Sequence, residues 1–209
     1  MNLRDTYNKI AKDWHRDHQK DTWWIEGTEK FLSLLEKGSE ILDVGCGEGT
    51  KSKYILDKGY KVAGIDFSES MIQIAKEEVL SADFEVLDIY NLPQIEKTFD
   101  GVFAQAVLLH IPKNRIGEVI QKLKDKVARE GFLYIAVKEI RERQSAEEVK
   151  KENDYGYEYE RFFSYFTLPE MENYLEKAGI EVVWKSVTTS GRVNWIQVIA
   201  RKGEINPLL

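Results

Sequence analysis

Residues 41–50, ILDVGCGEGT, place three glycines at alternate positions directly after an apolar run. Glycine inside a strand or helix costs roughly 0.5–1 kcal/mol relative to alanine. Gly45, Gly47 and Gly49 therefore require a cause, either a backbone that turns sharply or a ligand that lies against it. The run EILDVG reads as a buried strand, and residues 50–58 read as a short helix closed by Gly59. A strand that feeds a helix through bare backbone constrains the rest of the chain toward a layered α/β arrangement.

The downstream pattern agrees. KVAGID is a second strand, and Ser68 caps a helix with Met71, Ile72, Ala75 and Val79 on one face. FEVLDI and FDGVFAQA are the third and fourth strands. Ile116, Val119, Ile120, Leu123 and Val127 at helical spacing predict an amphipathic helix over 113–128, and FLYIAVK a fifth strand. Residues 139–163 are charged, then aromatic, with no clear period, which fits a solvated insertion or a lid. Thr167 and Glu170 form a capping box with Pro169 in the first turn. EVVWKSV and NWIQVIAR, joined by TTSGR, predict an antiparallel hairpin. Five strands alternating with helices imply a parallel sheet covered on both faces, with ligands at the carboxyl ends of its strands.

Composition narrows the function classes. The chain has 209 residues, 43% hydrophobic and 32% charged, the profile of a globular protein. A net charge of −6 weighs against non-specific nucleic-acid binding. The polar N-terminus is no signal peptide, and no apolar run reaches the ~20 residues that span a bilayer. The single cysteine, Cys46, excludes an internal disulfide and fits a reducing, cytoplasmic setting. No His/Cys cluster suggests zinc, so no metal is expected.

Asp66 ends the second strand 21 residues after Gly45, near the ~20-residue spacing at which a carboxylate accepts hydrogen bonds from ribose hydroxyls. A dinucleotide fingerprint would need glycine at position 50, where Thr50 stands, and no Walker-type lysine is present. A ribose-bearing ligand without a phosphate chain is expected.

ILDVGCGEGT, VAGIDFSESMI, FEVLDI and FDGVFAQAVLLHI, in that order, resemble the successive motifs of class I S-adenosylmethionine-dependent methyltransferases, small-molecule-type branch. YNKIAKDW and RFFSYFTLPEMENYLEKAGIEVV resemble that branch's leading helix and its late helix and strand. The resemblance implies a Rossmann-like seven-stranded, mostly parallel sheet of order 3-2-1-4-5-7-6, strand 7 antiparallel, with helices on both faces. It implies one domain over 1–209, with 1–26 and 139–166 as candidate lids. Gly45, Cys46 and Gly47 would line the methionine moiety of S-adenosylmethionine, with Asp43 near its ammonium. Asp66 would hold the ribose, Phe67 and Ile89 would lie on the adenine, Asp88 would accept from the adenine amino group, and Gln105 would close the site near the sulfonium. Asp88 also reads as a plain strand-end cap, and Phe67 as core.

His110, after the fourth strand, is the candidate general base, with a structural histidine at a helix start as the competing reading; His15 and His18 are expected to be exposed. Tyr7 and Trp14 on the leading helix, Trp23, Trp24, and later Arg161 and Tyr165 are candidates for an acceptor lid, and the aromatics read equally as core. Arg161 would bind an anionic acceptor or pair with nearby glutamates. AQAVLL replaces the Asn/Asp-Pro-Pro-Tyr motif of amino methyltransferases. The expected reaction is methyl transfer to a small-molecule O, N or S acceptor. The alternatives are a tRNA or protein methyltransferase, or a cofactor-binding protein without transfer activity.

Overall fold

The computed structural model of the chain describes residues 2–203. The helices are α1 (Leu3–His18), α2 (Ile25–Leu32), α3 (Thr50–Asp57), α4 (Glu69–Glu78), α5 (Ile116–Lys126) and α6 (Leu168–Lys177). The strands are β1 (Glu40–Val44), β2 (Lys61–Asp66), β3 (Asp83–Val86), β4 (Phe99–Gln105), β5 (Val127–Lys138), β6 (Glu147–Glu152), β7 (Tyr159–Ser164), β8 (Glu181–Ser190) and β9 (Val193–Arg201).

Seven strands form one sheet in the order β3-β2-β1-β4-β5-β9-β8. The first five are parallel, and β9 runs antiparallel to both its neighbours. This is the expected order, with the last two numbers raised because β6 and β7 pair separately.

The period-2 alternation of strand side chains builds two core layers. Leu42, Val44, Val102, Ala104, Leu133, Ile135 and Val137 face α5 and α6 through Ile120, Leu123, Met171 and Leu175. Ile41, Phe103, Tyr134 and Ala136 face the other way, toward Phe31 and Leu32 of α2 and Ile55 of α3. Burying one such large side chain stabilises the fold by about 1.5–3 kcal/mol. Phe103 and Tyr134 stack with centroids 4.5 Å apart.

Three expectations need correction. The helix over 113–128 is shorter, because only 116–126 are α-helical and Val127 already pairs with Phe99 in the sheet. The segment over 1–26, expected as one leading helix or lid, holds α1 and the start of a second helix, α2, which runs to Leu32. Its Gly27 sits in the helix because a side-chain carbon there would lie 1.9 Å from Gln197 Oε1. Residues 139–163 are not aperiodic either, since β6 and β7 form an antiparallel hairpin. The inward row of β7, Tyr159, Arg161 and Phe163, includes a charge, so the apolar alternation was broken at that position.

That hairpin is fastened to α1. Thr6 Oγ1 donates to the Glu160 carbonyl (3.0 Å), Lys9 Nζ to the Glu158 carbonyl (2.9 Å), and Tyr157 Oη to Asp13 Oδ2 (2.7 Å). On its other side α1 reaches α4, where Ser68 Oγ donates to Asn8 Oδ1 at 2.6 Å. Helix and hairpin thus roof the carboxyl ends of the central strands. Among the described residues no helix is long and apolar enough to cross a membrane.

Candidate functional site

The turn after β1 is left-handed at Gly45 (φ 70°) and Gly47 (φ 55°), a conformation that costs an L residue roughly 1–2 kcal/mol. The two glycines serve different ends. A side-chain carbon on Gly45 would lie 2.8 Å from Val107 Cγ2, so packing as well as the turn calls for glycine there. On Gly47 it would meet nothing within 4 Å, so this is the bare surface of the turn. Gly49 lets α4 pack closely, through Ala75 and Val79.

Asp66 stands opposite. Its Oδ2 accepts from the Gly47 N–H (3.1 Å) and its Oδ1 from the Ser68 N–H (2.8 Å). Each carboxylate oxygen keeps a second lone pair. Burial pushes the Asp66 pKa up to about 6, against those two backbone hydrogen bonds. Asp43 accepts from Ser52 Oγ at 2.6 Å, and burial carries it up to about 7. Asp66 and Glu48 raise it too, while Lys51 opposes. Glu48, absent from the sequence expectations, is buried beside them. Burial, with Asp43 next, holds the Cys46 thiol protonated. This acidic end suits a cationic ligand group.

Two adjoining cavities form a cleft at the carboxyl ends of β1, β2 and β4. One, of about 480 Å³, is lined by Ile65, Leu87, Asp88, Ile89 and Tyr90 among others. The other, of about 350 Å³, is lined by Asp43, Cys46, Gly47, Glu48, Gln105, Tyr7, Trp14, Trp23 and Arg161 among others. Gly45, Asp66, Phe67, Val107 and His110 border both. Asp88 Oδ1 accepts from the Tyr90 N–H at 2.9 Å, so Asp88 caps the 3-10 turn over 89–94 while lining the cleft. Gln105 lines the second cavity, and its Oε1 is buried with no hydrogen-bond partner among the described residues. Buried acceptors are normally satisfied. The donor and acceptor set, the bare face of Gly47 and this orphan fit a nucleoside carrying a cationic chain.

Two expected lid residues lie elsewhere. Trp24 is buried and packs edge-on against Tyr54 at 5.0 Å. Tyr165 lies behind Phe163 and donates to Glu148 Oε1 at 2.7 Å. In each case the sequence neighbour, Trp23 or a residue two places along the strand, Phe163, lines the cavity instead. His18, expected to be exposed, stacks on Trp14 at 3.6 Å and lines the cavity, and His15 is half-buried.

His110 uses both ring nitrogens. Its Nδ1 is 2.7 Å from the Phe162 carbonyl, which can only accept, so Nδ1 carries the proton. Nε2 therefore accepts from Tyr7 Oη, also at 2.7 Å. Burial pushes the His110 pKa down to about 3, and the ring stays neutral at ordinary pH. Arg161 donates to Tyr7 Oη at 3.4 Å and to both oxygens of Glu152, at 2.6 and 2.7 Å. Its pairing with a glutamate is one of the two expected roles. Lys138, Trp195 and Phe163 complete the far wall. The sequence signal for Lys138 was its place at the end of the fifth strand, where such sheets bind ligands.

Residues 41–131 match the family model described as a methyltransferase domain. Over 123 residues the chain is 36% identical to the ubiquinone biosynthesis O-methyltransferase of Coxiella burnetii, covering 51% of this chain and 49% of that one. The chain thus spans about half the length of that relative. The 1,6-didemethyltoxoflavin-N1-methyltransferase of Burkholderia thailandensis, solved with S-adenosylhomocysteine, superposes with a TM-score of 0.77 at 19% identity, over 97% of this chain and 88% of that one. The magnesium protoporphyrin IX methyltransferase of Synechocystis gives a TM-score of 0.72 at 20% identity, over 96% and 95%. The chain has the fold of the class I S-adenosylmethionine-dependent methyltransferases.

Proposed function

We propose that this chain is a cytoplasmic, single-domain methyltransferase that binds S-adenosylmethionine in the cleft and methylates an O, N or S atom of a small molecule. The observation that carries this reading is the juxtaposition of the bare Gly47 face, the Asp66 carboxylate and the orphaned Gln105 oxygen in one cleft. The likeness of residues 41–131 to a methyltransferase domain supports it.

When bound, S-adenosylmethionine supplies an electrophilic methyl group on a sulfonium. Asp66 accepts hydrogen bonds from the ribose hydroxyls with its free lone pairs. Asp88 accepts from the adenine amino group, and Phe67 and Ile89 pack on the ring. Asp43 and Glu48 offset the ammonium charge, while Gln105 offers its oxygen toward the sulfonium. Tyr7, Trp14 and the β6–β7 hairpin exclude water from above, which strengthens every electrostatic contact inside.

His110 serves as a positioning residue in this reading. A ring with its pKa pushed to about 3 is a weak base at neutral pH, and its acceptor nitrogen already holds the Tyr7 hydroxyl. It fixes Tyr7 at the cavity wall. That Gln105 and Lys138 line one cavity of about 350 Å³ beside the cleft's other cavity favours transfer over mere cofactor binding. The roof and the net charge of −6 favour a small acceptor over tRNA.

Calorimetric titration with S-adenosylmethionine, S-adenosylhomocysteine and NAD tests the reading. The first two should bind in the micromolar range and NAD should not. Binding of NAD, or of neither adenosyl compound, would overturn it.

A further inference from the structure

Lys138 ends β5 beside Trp195, its register partner on β9. Its ammonium faces the 350 Å³ cavity, 4.2 Å from the Phe163 ring centroid and 5.7 Å from that of Trp195. It makes no hydrogen bond or ion pair with any described residue. Glu152, the roof carboxylate that acts on it, has both oxygens engaged by Arg161. Arg161, Lys150 and Arg141 add positive charge around it. A half-buried cation without a counter-charge is the exception in folded proteins, since removal from water is costly unless the charge is paired.

The cleft is therefore electrically two-ended. Asp43, Glu48 and Asp66 make the Gly47 end acidic, while the wall at Lys138 is cationic. The surfaces next to Lys138 are flat. Trp23 stacks on Trp195 with centroids 3.8 Å apart and planes 8° from parallel, and Phe163 faces the same space. Flat apolar walls favour a planar ring in offset or edge contact.

We propose that the methyl acceptor is a small aromatic anion, its carboxylate or phenolate oxygen seated on Lys138 and its ring against Phe163 and Trp195. The proposal rests on the methyl-transfer reading above. It also accounts for the lack of a strong base: the ionised oxygen is itself the nucleophile, so its O–CH3 bond forms as the S–CH3 bond of the cofactor breaks, S-adenosylhomocysteine leaves, and there is no proton for His110 to remove.

The test uses the protein saturated with S-adenosylhomocysteine, titrated with benzoate and with its neutral isostere benzamide, and followed by tryptophan fluorescence. Wild type should prefer benzoate by at least about tenfold, the scale of a charge-assisted contact in a partly dry site. Lys138→Met should bring the two to within about twofold, and Lys138→Arg should restore most of the preference. S-adenosylhomocysteine should bind all three proteins alike. Equal or undetectable binding of the two probes to wild type would overturn the proposal, as would a preference that survives in Lys138→Met. Loss of S-adenosylhomocysteine affinity in Lys138→Met would overturn it too, by assigning the lysine to the cofactor. Failure of S-adenosylhomocysteine to bind wild type would instead remove the reading beneath it.

Discussion

Alanine at Gly45 and alanine at Gly47 should harm the protein in different ways. Both positions are left-handed, so each substitution costs roughly 1–2 kcal/mol of backbone strain. At Gly45 the added methyl would lie 2.8 Å from Val107 Cγ2 and 2.9 Å from its Cβ. Overpacking of that kind costs a further ~1–3 kcal/mol. Gly45→Ala should thus lose about 2–5 kcal/mol in urea denaturation, with an unchanged slope against denaturant. Gly47→Ala meets open space and should lose only the strain, about 1–2 kcal/mol. Its methyl projects where the proposed ligand lies, so its affinity for S-adenosylhomocysteine should fall at least about tenfold. Val107→Ala would leave the Cβ contact, so the relieving partner is Val107→Gly. Combined with Gly45→Ala, it should return the packing share, about 1–3 kcal/mol, as a coupling energy. A coupling near zero, or equal stability losses at the two glycines, would refute the division of labour drawn for this turn.

Further outcomes follow from the same contacts. Asp66→Asn should weaken S-adenosylhomocysteine binding by roughly 1–3 kcal/mol, the scale for hydrogen bonds to a charged group, and calorimetry showing undiminished affinity would contradict the ribose assignment. His110 titrates near 6.5 when unfolded and near 3 when folded, so below pH 6.5 the unfolded state gains a proton that the folded state refuses. Stability should therefore fall with pH from about 6.5 toward 3, by up to about 1.4 kcal/mol per unit from this group. Urea titrations of His110→Gln should lack that share of the slope, and parallel profiles for the two proteins would count against a neutral, buried ring. Gly27→Ala should destabilise by about 1–3 kcal/mol, because its methyl meets Gln197, which is held between Tyr134 and Thr188. Thermal melts in which this variant matches wild type would show that α2 packs less closely.

What the sequence made legible was local. The glycine turn, the Ser68 cap and the Thr167–Glu170 capping box act within a few residues, and each appears where its residues demand it. The parallel sheet followed from alternation, and the strand order from the family resemblance. The β6–β7 hairpin escaped because Arg161 sits at an inward position, where it is paired with Glu152 on the neighbouring strand, nine residues away. α2 escaped because Gly27 weakens a helical pattern for the sake of Gln197, far along the chain. Within the site, Asp66 and the glycines were readable from spacing and Asp43 and Asp88 from the resemblance, whereas the choice of Trp23 over Trp24 depends on which face of a short helix start meets β9. Lys138 gains its meaning from Phe163 and Trp195, residues on two other strands, and no local signal joins them.

The most direct test is a crystal structure of the protein with S-adenosylhomocysteine. The ligand should span both cavities, its ribose hydroxyls within hydrogen-bonding distance of Asp66 and its amino-acid chain along Gly47. A nucleoside bound outside this cleft, or one whose sugar lies away from Asp66, would contradict it.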